Sequence, residues 1–135
     1  MTDEEIAAFV RERRTGILAT LGKTGQPHLS AMWFALVDDK VVFETKSKSQ
    51  KVVNVRRDPR ITVLFETGFT YPELRGVAFE GTAEVVENDD AHRAYIRAVG
   101  RSVVERYTGP ADDADDATLD RAMYNRVAVV LHVAR

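Results

Sequence analysis

The segment Arg75 to Val86 constrains the fold more than any other, because it carries an uninterrupted period of two. Val77, Phe79, Gly81, Ala83 and Val85 fall on one face, and Ala78, Glu80, Thr82 and Glu84 on the other. Gly81 at its middle predicts a bend or a close approach by another backbone. Five more stretches read as strands: Ile17 to Leu21, Pro27 to Val37, Val41 to Thr45, Arg60 to Glu66 and Val127 to Val133. In the second of these, Leu29, Ala31, Trp33 and Ala35 alternate with Ser30, Met32, Phe34 and Leu36, so both faces are largely apolar and both should be covered.

The connections decide between architectures. Gly22 to Gly25 and Asp38–Asp39 are turn chemistry suited to hairpins. Helical spacing is confined to the first thirteen or so residues after Thr2, a short segment around Val52 to Val55, a longer one from Asn88 to Tyr107 with Gly100 as a weak point, and a short helix capped by Thr118. Strands joined mostly by hairpins exclude a doubly wound parallel sheet and predict a closed or partly closed antiparallel barrel with appended helices. At 135 residues the chain is expected to form one domain spanning 1–135, with part of its apolar surface left for a partner subunit.

Function classes fall away on charge and composition. Lys and Arg number 19 against 21 Asp and Glu, a net charge of −2 that is unsuited to general polyanion binding. There is no Cys, which removes disulfides, thiolate metal sites and cysteine nucleophiles and suits a reducing cytosol. No window has the apolar length of a membrane span, and the acidic amphipathic start lacks a signal-peptide core. The expectation is a cytoplasmic protein without nucleic-acid or membrane partners. Three scattered His and unpaired carboxylates support no metal site. Serines lack a nucleophile-elbow context, and Gly76 and Gly81 form no dinucleotide fingerprint. Asp112, Asp113, Asp115, Asp116 and Asp120 read as a solvated acidic loop.

One local asymmetry stands out. Lys46, Lys48, Lys51, Arg56, Arg57 and Arg60 are opposed within residues 46–60 only by Asp58. The cluster begins where a strand ends and a helix starts, so Ser47, Ser49, Lys51 and the first free amides converge. Such a set of donors binds an anion, phosphate being the usual occupant. A solvated basic helix with a capping serine is the competing reading, and a small nucleic-acid patch a third.

The stretch Phe43 to Phe65, FETKSKSQKVVNVRRDPRITVLF, resembles the core signature of the pyridoxamine 5′-phosphate oxidase-like flavin/deazaflavin split-barrel superfamily. Gly16-Ile17-Leu18-Ala19-Thr20, Lys51 to Pro59 and Gly81 to Val86 resemble, in the same order, motifs of its deazaflavin (coenzyme F420)-dependent oxidoreductase branch. The resemblance implies a six-stranded antiparallel split β-barrel, mainly β with appended helices, and a homodimer with the cofactor between subunits. It implies that Ser49, Gln50 and Lys51 hold phosphate, with Gln50 standing where Arg is common. Thr45 and Lys46 would contact phosphate or the ribityl chain, Met32, Trp33 and Phe34 would line the ring, and Lys48, Arg56 and Arg57 would suit the anionic tail of F420. Core packing is the competing reading for Trp33.

The implied activity is F420-dependent reduction of a small electron-poor organic molecule by hydride transfer, with FMN as the alternative cofactor. A non-enzymatic cofactor or haem carrier is the alternative of another class. Ser30 stands where a pyridoxamine phosphate oxidase has Arg, and the C-terminal R-x-H motif is missing, so that oxidation is not expected. No catalytic residue is assigned. Tyr71, His28, Tyr124 and His92 are candidates for protonating a substrate, with His28 expected to be exposed and His132 structural. Substrate choice would rest with the loops around Gly68 to Arg75 and Thr108 to Thr118. A ratio of 14 Arg to 5 Lys suits a GC-rich, actinobacterial source.

Overall fold

The computed structural model describes residues 1–110 and 114–134. In chain order the elements are α1 (Asp3–Glu12), β1 (Gly16–Leu21), β2 (Pro27–Met32), β3 (Ala35–Val37), β4 (Lys40–Lys46), α2 (Gln50–Arg57), β5 (Arg60–Thr67), β6 (Arg75–Val86), α3 (Arg93–Tyr107), α4 (Asp116–Ala122) and β7 (Arg126–Val133). Two short 3-10 turns, Tyr71–Glu73 and Asp90–His92, complete the set. The strands form one sheet in the order β2-β1-β5-β6-β7-β4-β3, antiparallel at every pairing.

Closure follows from connectivity. The two edge strands, β2 and β3, are separated in sequence only by Trp33 and Phe34. Three peptide units reach about 11 Å at most, so the edges must meet and the sheet must curl into a barrel. The break corrects the single strand expected over Pro27 to Val37 and raises the strand count from six to seven. Within the single chain one part of this stretch lacks the expected cover, Leu29 being 64% and Trp33 52% exposed.

Inside the barrel, Leu18, Phe34, Phe43, Ile61, Val63, Phe65, Val129 and Leu131 form the core. Phe9 and Val10 of α1 plug one end, and Val52 and Val55 of α2 plug the other. Outside, a second cluster joins Ala35, Val42, Ala128 and Val130 of the sheet to Ile96 and Val99 of α3 and to Met123. Gly81 is a close approach as expected: a Cβ there would lie 2.1 Å from the His132 carbonyl oxygen on β7. Gly100 is no weak point. It is buried in the middle of α3, where its missing side chain lets Met123 come within 3.1 Å of the Cβ position.

Two helix starts differ from expectation. The long helix begins at Arg93, after the 3-10 turn, because Asp89 caps that turn by accepting from the His92 amide. The short helix is capped by Asp115, which accepts from the Thr118 amide at 2.8 Å, so Thr118 supplies the donor and not the cap. The acidic run is also less solvated than its composition suggests. Asp116 and Asp120 both pair with Arg97 of α3, while Asp112 and Asp113 lie outside the described residues.

Candidate functional site

β4 hands the chain to α2 through a tight turn. The Ser47 amide donates to the Asn125 carbonyl at 2.8 Å, and the Ser49 amide to the Lys46 carbonyl at 3.0 Å. Ser49 takes the N-cap position with extended backbone, yet its hydroxyl makes no capping bond and accepts from buried Thr45 Oγ1 at 3.3 Å. The first amides of α2, at Gln50 and Lys51, therefore have no intrahelical acceptor and stand at the positive end of the helix dipole, while Val52 is already fully buried.

The six cations divide cleanly. Arg56 pairs with Glu87 at 2.5 Å and Arg60 with Asp58 at 2.6 Å. Arg57 donates to the Leu21 carbonyl at 3.0 Å and to Asn54 Oδ1 at 3.2 Å. The Arg60 guanidinium and amide together hold the Asp58 carboxyl down at about 2. Lys46, Lys48 and Lys51 have no such partner among the described residues, and they are the cations left to meet an anion. Arg56 and Arg57 are thus engaged with protein groups and not extended toward a ligand tail.

Gln50, though exposed, is likewise engaged with the protein, donating to Asn54 Oδ1 at 2.8 Å. Asn54, wholly buried, donates in turn to buried Thr20 Oγ1 at 3.0 Å. This network fastens α2 to the end of β1 and fixes where the first amides of α2 stand. Its centre was not anticipated, although an Asn between Val52 and Val55 on a buried helix face is a legible signal of a satisfied core amide. His28, opposite Thr20 in the β1–β2 register, is half-buried and not exposed, with its Nδ1 enclosed and unpartnered among the described residues.

The second group of expected residues lies toward the other end of the barrel. Met32 pairs with Gly16, four residues along β1 from Thr20, which sets the two groups about 13 Å apart along the strand. Here α3 takes over the bonding that the interrupted ladder lacks. Ser102 Oγ accepts from the Leu36 amide at 2.9 Å, Tyr107 Oη from the Phe34 amide at 3.1 Å, and Arg106 Nε donates to the Phe34 carbonyl at 3.0 Å. Phe34 is thereby buried in the core, at 5.0 Å from Phe65. Trp33 turns outward, stacked on Tyr107 at 4.2 Å with parallel planes.

The donors fit a phosphorylated, ring-bearing ligand. Three unpaired lysines, two hydroxyls and free amides suit phosphate at one end, and an exposed indole beside an apolar sheet face suits an aromatic ring at the other. The candidate proton donors are scattered. Tyr71 and Tyr124 are largely exposed, His92 Nδ1 lies 2.7 Å from Asp89, and His132 Nε2 lies 2.7 Å from Glu84. The hydrogen bond from His92 keeps the Asp89 carboxyl below its ordinary range. A cleft of about 730 Å³ opens between α1 and the barrel end, lined by Ile6, Val10, Val41, Phe79 and Leu131, away from α2.

Comparison with known proteins places this geometry in context. The family model described as pyridoxamine 5′-phosphate oxidase matches residues 2–135. The conserved hypothetical protein Rv2991 from Mycobacterium tuberculosis is 52% identical, with a TM-score of 0.91 over 100% of this chain and 82% of that one. A structure described as an F420 reductase is 25% identical, with a TM-score of 0.65 over 95% of this chain and 92% of that one. HutZ, the heme storage protein from Vibrio cholerae, is 19% identical with a TM-score of 0.73 over 98% and 90%, a likeness of fold alone.

Proposed function

We propose that this chain, which belongs to the pyridoxamine 5′-phosphate oxidase family, is an F420-dependent oxidoreductase that reduces a small electron-poor organic substrate and works as a homodimer. The observation that carries the reading is that Lys46, Lys48 and Lys51 flank the N-terminus of α2 and make no ion pair among the described residues. The likeness to an F420 reductase over nearly the whole chain supports the choice of deazaflavin. FMN is the alternative, because the same hydroxyls, lysines and amides serve either phosphate.

Lys51, half-buried on the first turn of α2, holds the phosphate with Ser49 and the amides of Gln50 and Lys51. Thr45 orients Ser49 by donating to it, leaving the Ser49 proton free to reach a phosphate oxygen. Gln50 and Arg57 serve by fixing Asn54, hence the pitch of α2, and not by touching the ligand. A bound deazaflavin supplies hydride chemistry, while the protein contributes orientation and electrostatics. The bare sheet face beside Trp33 is where the second copy sits, which encloses the ring and excludes water from it.

Absorption of protein purified from a lysate separates deazaflavin from flavin by their distinct bands. Lys51→Ala should weaken cofactor binding by about 1.5–3 kcal/mol, as for a lost charge-assisted hydrogen bond. An unchanged dissociation constant moves the phosphate elsewhere. Turnover of an enone panel only with cofactor present distinguishes an enzyme from a carrier. A 15.1 kDa species at micromolar concentration in sedimentation would rule out the dimer.

A further inference from the structure

The surroundings of Trp33 are more elaborate than packing requires. An exposed tryptophan on a two-residue connection would ordinarily sample several rotamers. Here the connection is held on both sides of the following peptide, with Tyr107 Oη receiving the Phe34 amide and Arg106 Nε donating to the Phe34 carbonyl. Tyr107 Oη also donates to the Arg14 carbonyl at 2.9 Å, tying the lead into β1 to the same point. The tyrosine ring then covers one face of the indole at 4.2 Å with no tilt, and half of the indole surface stays open.

Behind the stack stand cations. The Arg14 guanidinium lies 5.1 Å from the Tyr107 ring centre, and the Arg106 guanidinium 5.4 Å from it and 4.2 Å from the Phe34 ring. Neither Arg14 nor Arg106 has a carboxylate partner among the described residues. Their charge is satisfied by backbone carbonyls of Phe34, Arg11, Arg13 and Arg106, so it stays unneutralised and polarises the rings in front of it.

We infer that Tyr107 is a positioning residue: it fixes Trp33 as a rigid platform whose open face takes the ring of the cofactor, with Arg14 and Arg106 behind. The inference rests on the flavin or deazaflavin reading above and goes beyond it, because it assigns a role to α3 residues that lie far from the phosphate donors. Tyr107 acts through Trp33 and does not touch the ring itself. Loss of the aromatic at position 107 frees the indole to rotate and removes the stacking surface, while the phosphate donors on α2 remain in place.

Trp33 is the sole tryptophan, so its emission reports the platform directly. In ligand-free protein, Tyr107→Leu should lower Trp33 anisotropy and raise its quenching by acrylamide, and Tyr107→Phe, which loses the Oη bonds but keeps the stacking ring while Arg106 still holds the Phe34 carbonyl, should restore most of both. Titration with FMN, and separately with F420, should quench Trp33 in the wild type. Tyr107→Leu should weaken ring-bearing ligands about five- to tenfold and leave ribose 5-phosphate unchanged. If Tyr107→Leu fails to fold, Trp33→Ala carries the same expectation, read from FMN's own fluorescence, because the bonds from α3 go to the Phe34 backbone. FMN binding that leaves Trp33 emission unchanged, or equal FMN affinity in both variants, overturns the inference. If Lys51→Ala alters neither FMN nor ribose 5-phosphate affinity, the phosphate assignment falls while quenching of Trp33 keeps the platform. Wild-type protein that binds neither cofactor overturns both.

Discussion

On one side of the barrel the outward residues of β3, β4 and β7, Ala35, Val42, Ala128 and Val130, lie buried beneath α3. On the other side, among the described residues, the outward side chains of β2, β1 and β5, among them Leu29, Ala31, Ile17 and Leu64, lie partly or largely open to solvent. The two surfaces share small and branched apolar side chains, although the bare one also carries Arg60, Thr62 and Glu66 of β5. They differ in what covers them. A sheet face of this character in water marks an interaction site, and the contrast is why a second copy is the proposed cover.

The largest effect that would break this contrast belongs to the covered side. Ile96→Ala should cost about 2–5 kcal/mol in urea unfolding, because it empties a site enclosed by both sheet and helix. Next comes Leu29→Arg on the bare side. It should leave monomer stability within about 0.5 kcal/mol, as an exposed substitution does, yet weaken self-association by about 2 kcal/mol in sedimentation. If Leu29→Arg unfolds the chain or leaves association intact, the two faces are not divided as described.

Acid sharpens the comparison at the rims. Asp58, at the turn from α2 into β5, has its pKa lowered from 3.8 to about 2 by Arg60. A carboxyl depressed on folding stabilises above its unfolded pKa, so this contribution is complete above pH about 4 and vanishes as pH falls through about 2. The urea midpoint of Asp58→Asn should therefore lie below that of the wild type at neutral pH, and the gap should close over that window. On the covered side, Arg97 lowers the pKa of Asp120, and Asp120→Asn should behave with the same sign. The smallest effect is expected for Gly100→Ala. Its gain of about 1 kcal/mol in helix propensity is offset by crowding against flexible Met123, so the unfolding midpoint should hardly move.

Alternation in Pro27 to Val37 and Arg75 to Val86, with short apolar or β-branched runs elsewhere, made six segments legible as strands, and hairpin turns made their antiparallel arrangement legible too. The break at Trp33–Phe34 was not, because alternation continues smoothly through it. What ends β2 there is a set of hydrogen bonds from Ser102, Arg106 and Tyr107, whose positions in sequence carry no mark of that use. At the candidate site, the cationic run pointed to the N-terminus of α2. Which cations were free was decided by Glu87, Asp58 and the Leu21 carbonyl, partners that only the fold brings near. The cover expected over both faces of Pro27 to Val37 was an inference from apolar content alone, and within the single chain Leu29 and Trp33 stay exposed.

The pinning of Phe34 by Tyr107 also bears on the order in which the molecule assembles. The connection between the two edge strands is tied to α3 across 73 residues, and the same tyrosine reaches the Arg14 carbonyl across 93. During synthesis, β1 to β6 emerge before either α3 or β7 exists to close them. Contacts of such wide sequence separation repay their loop entropy only late in folding. Barrel closure should therefore be the final cooperative event, and a nascent chain ending before α3 would expose an open, curling sheet with two unpaired edges to chaperones.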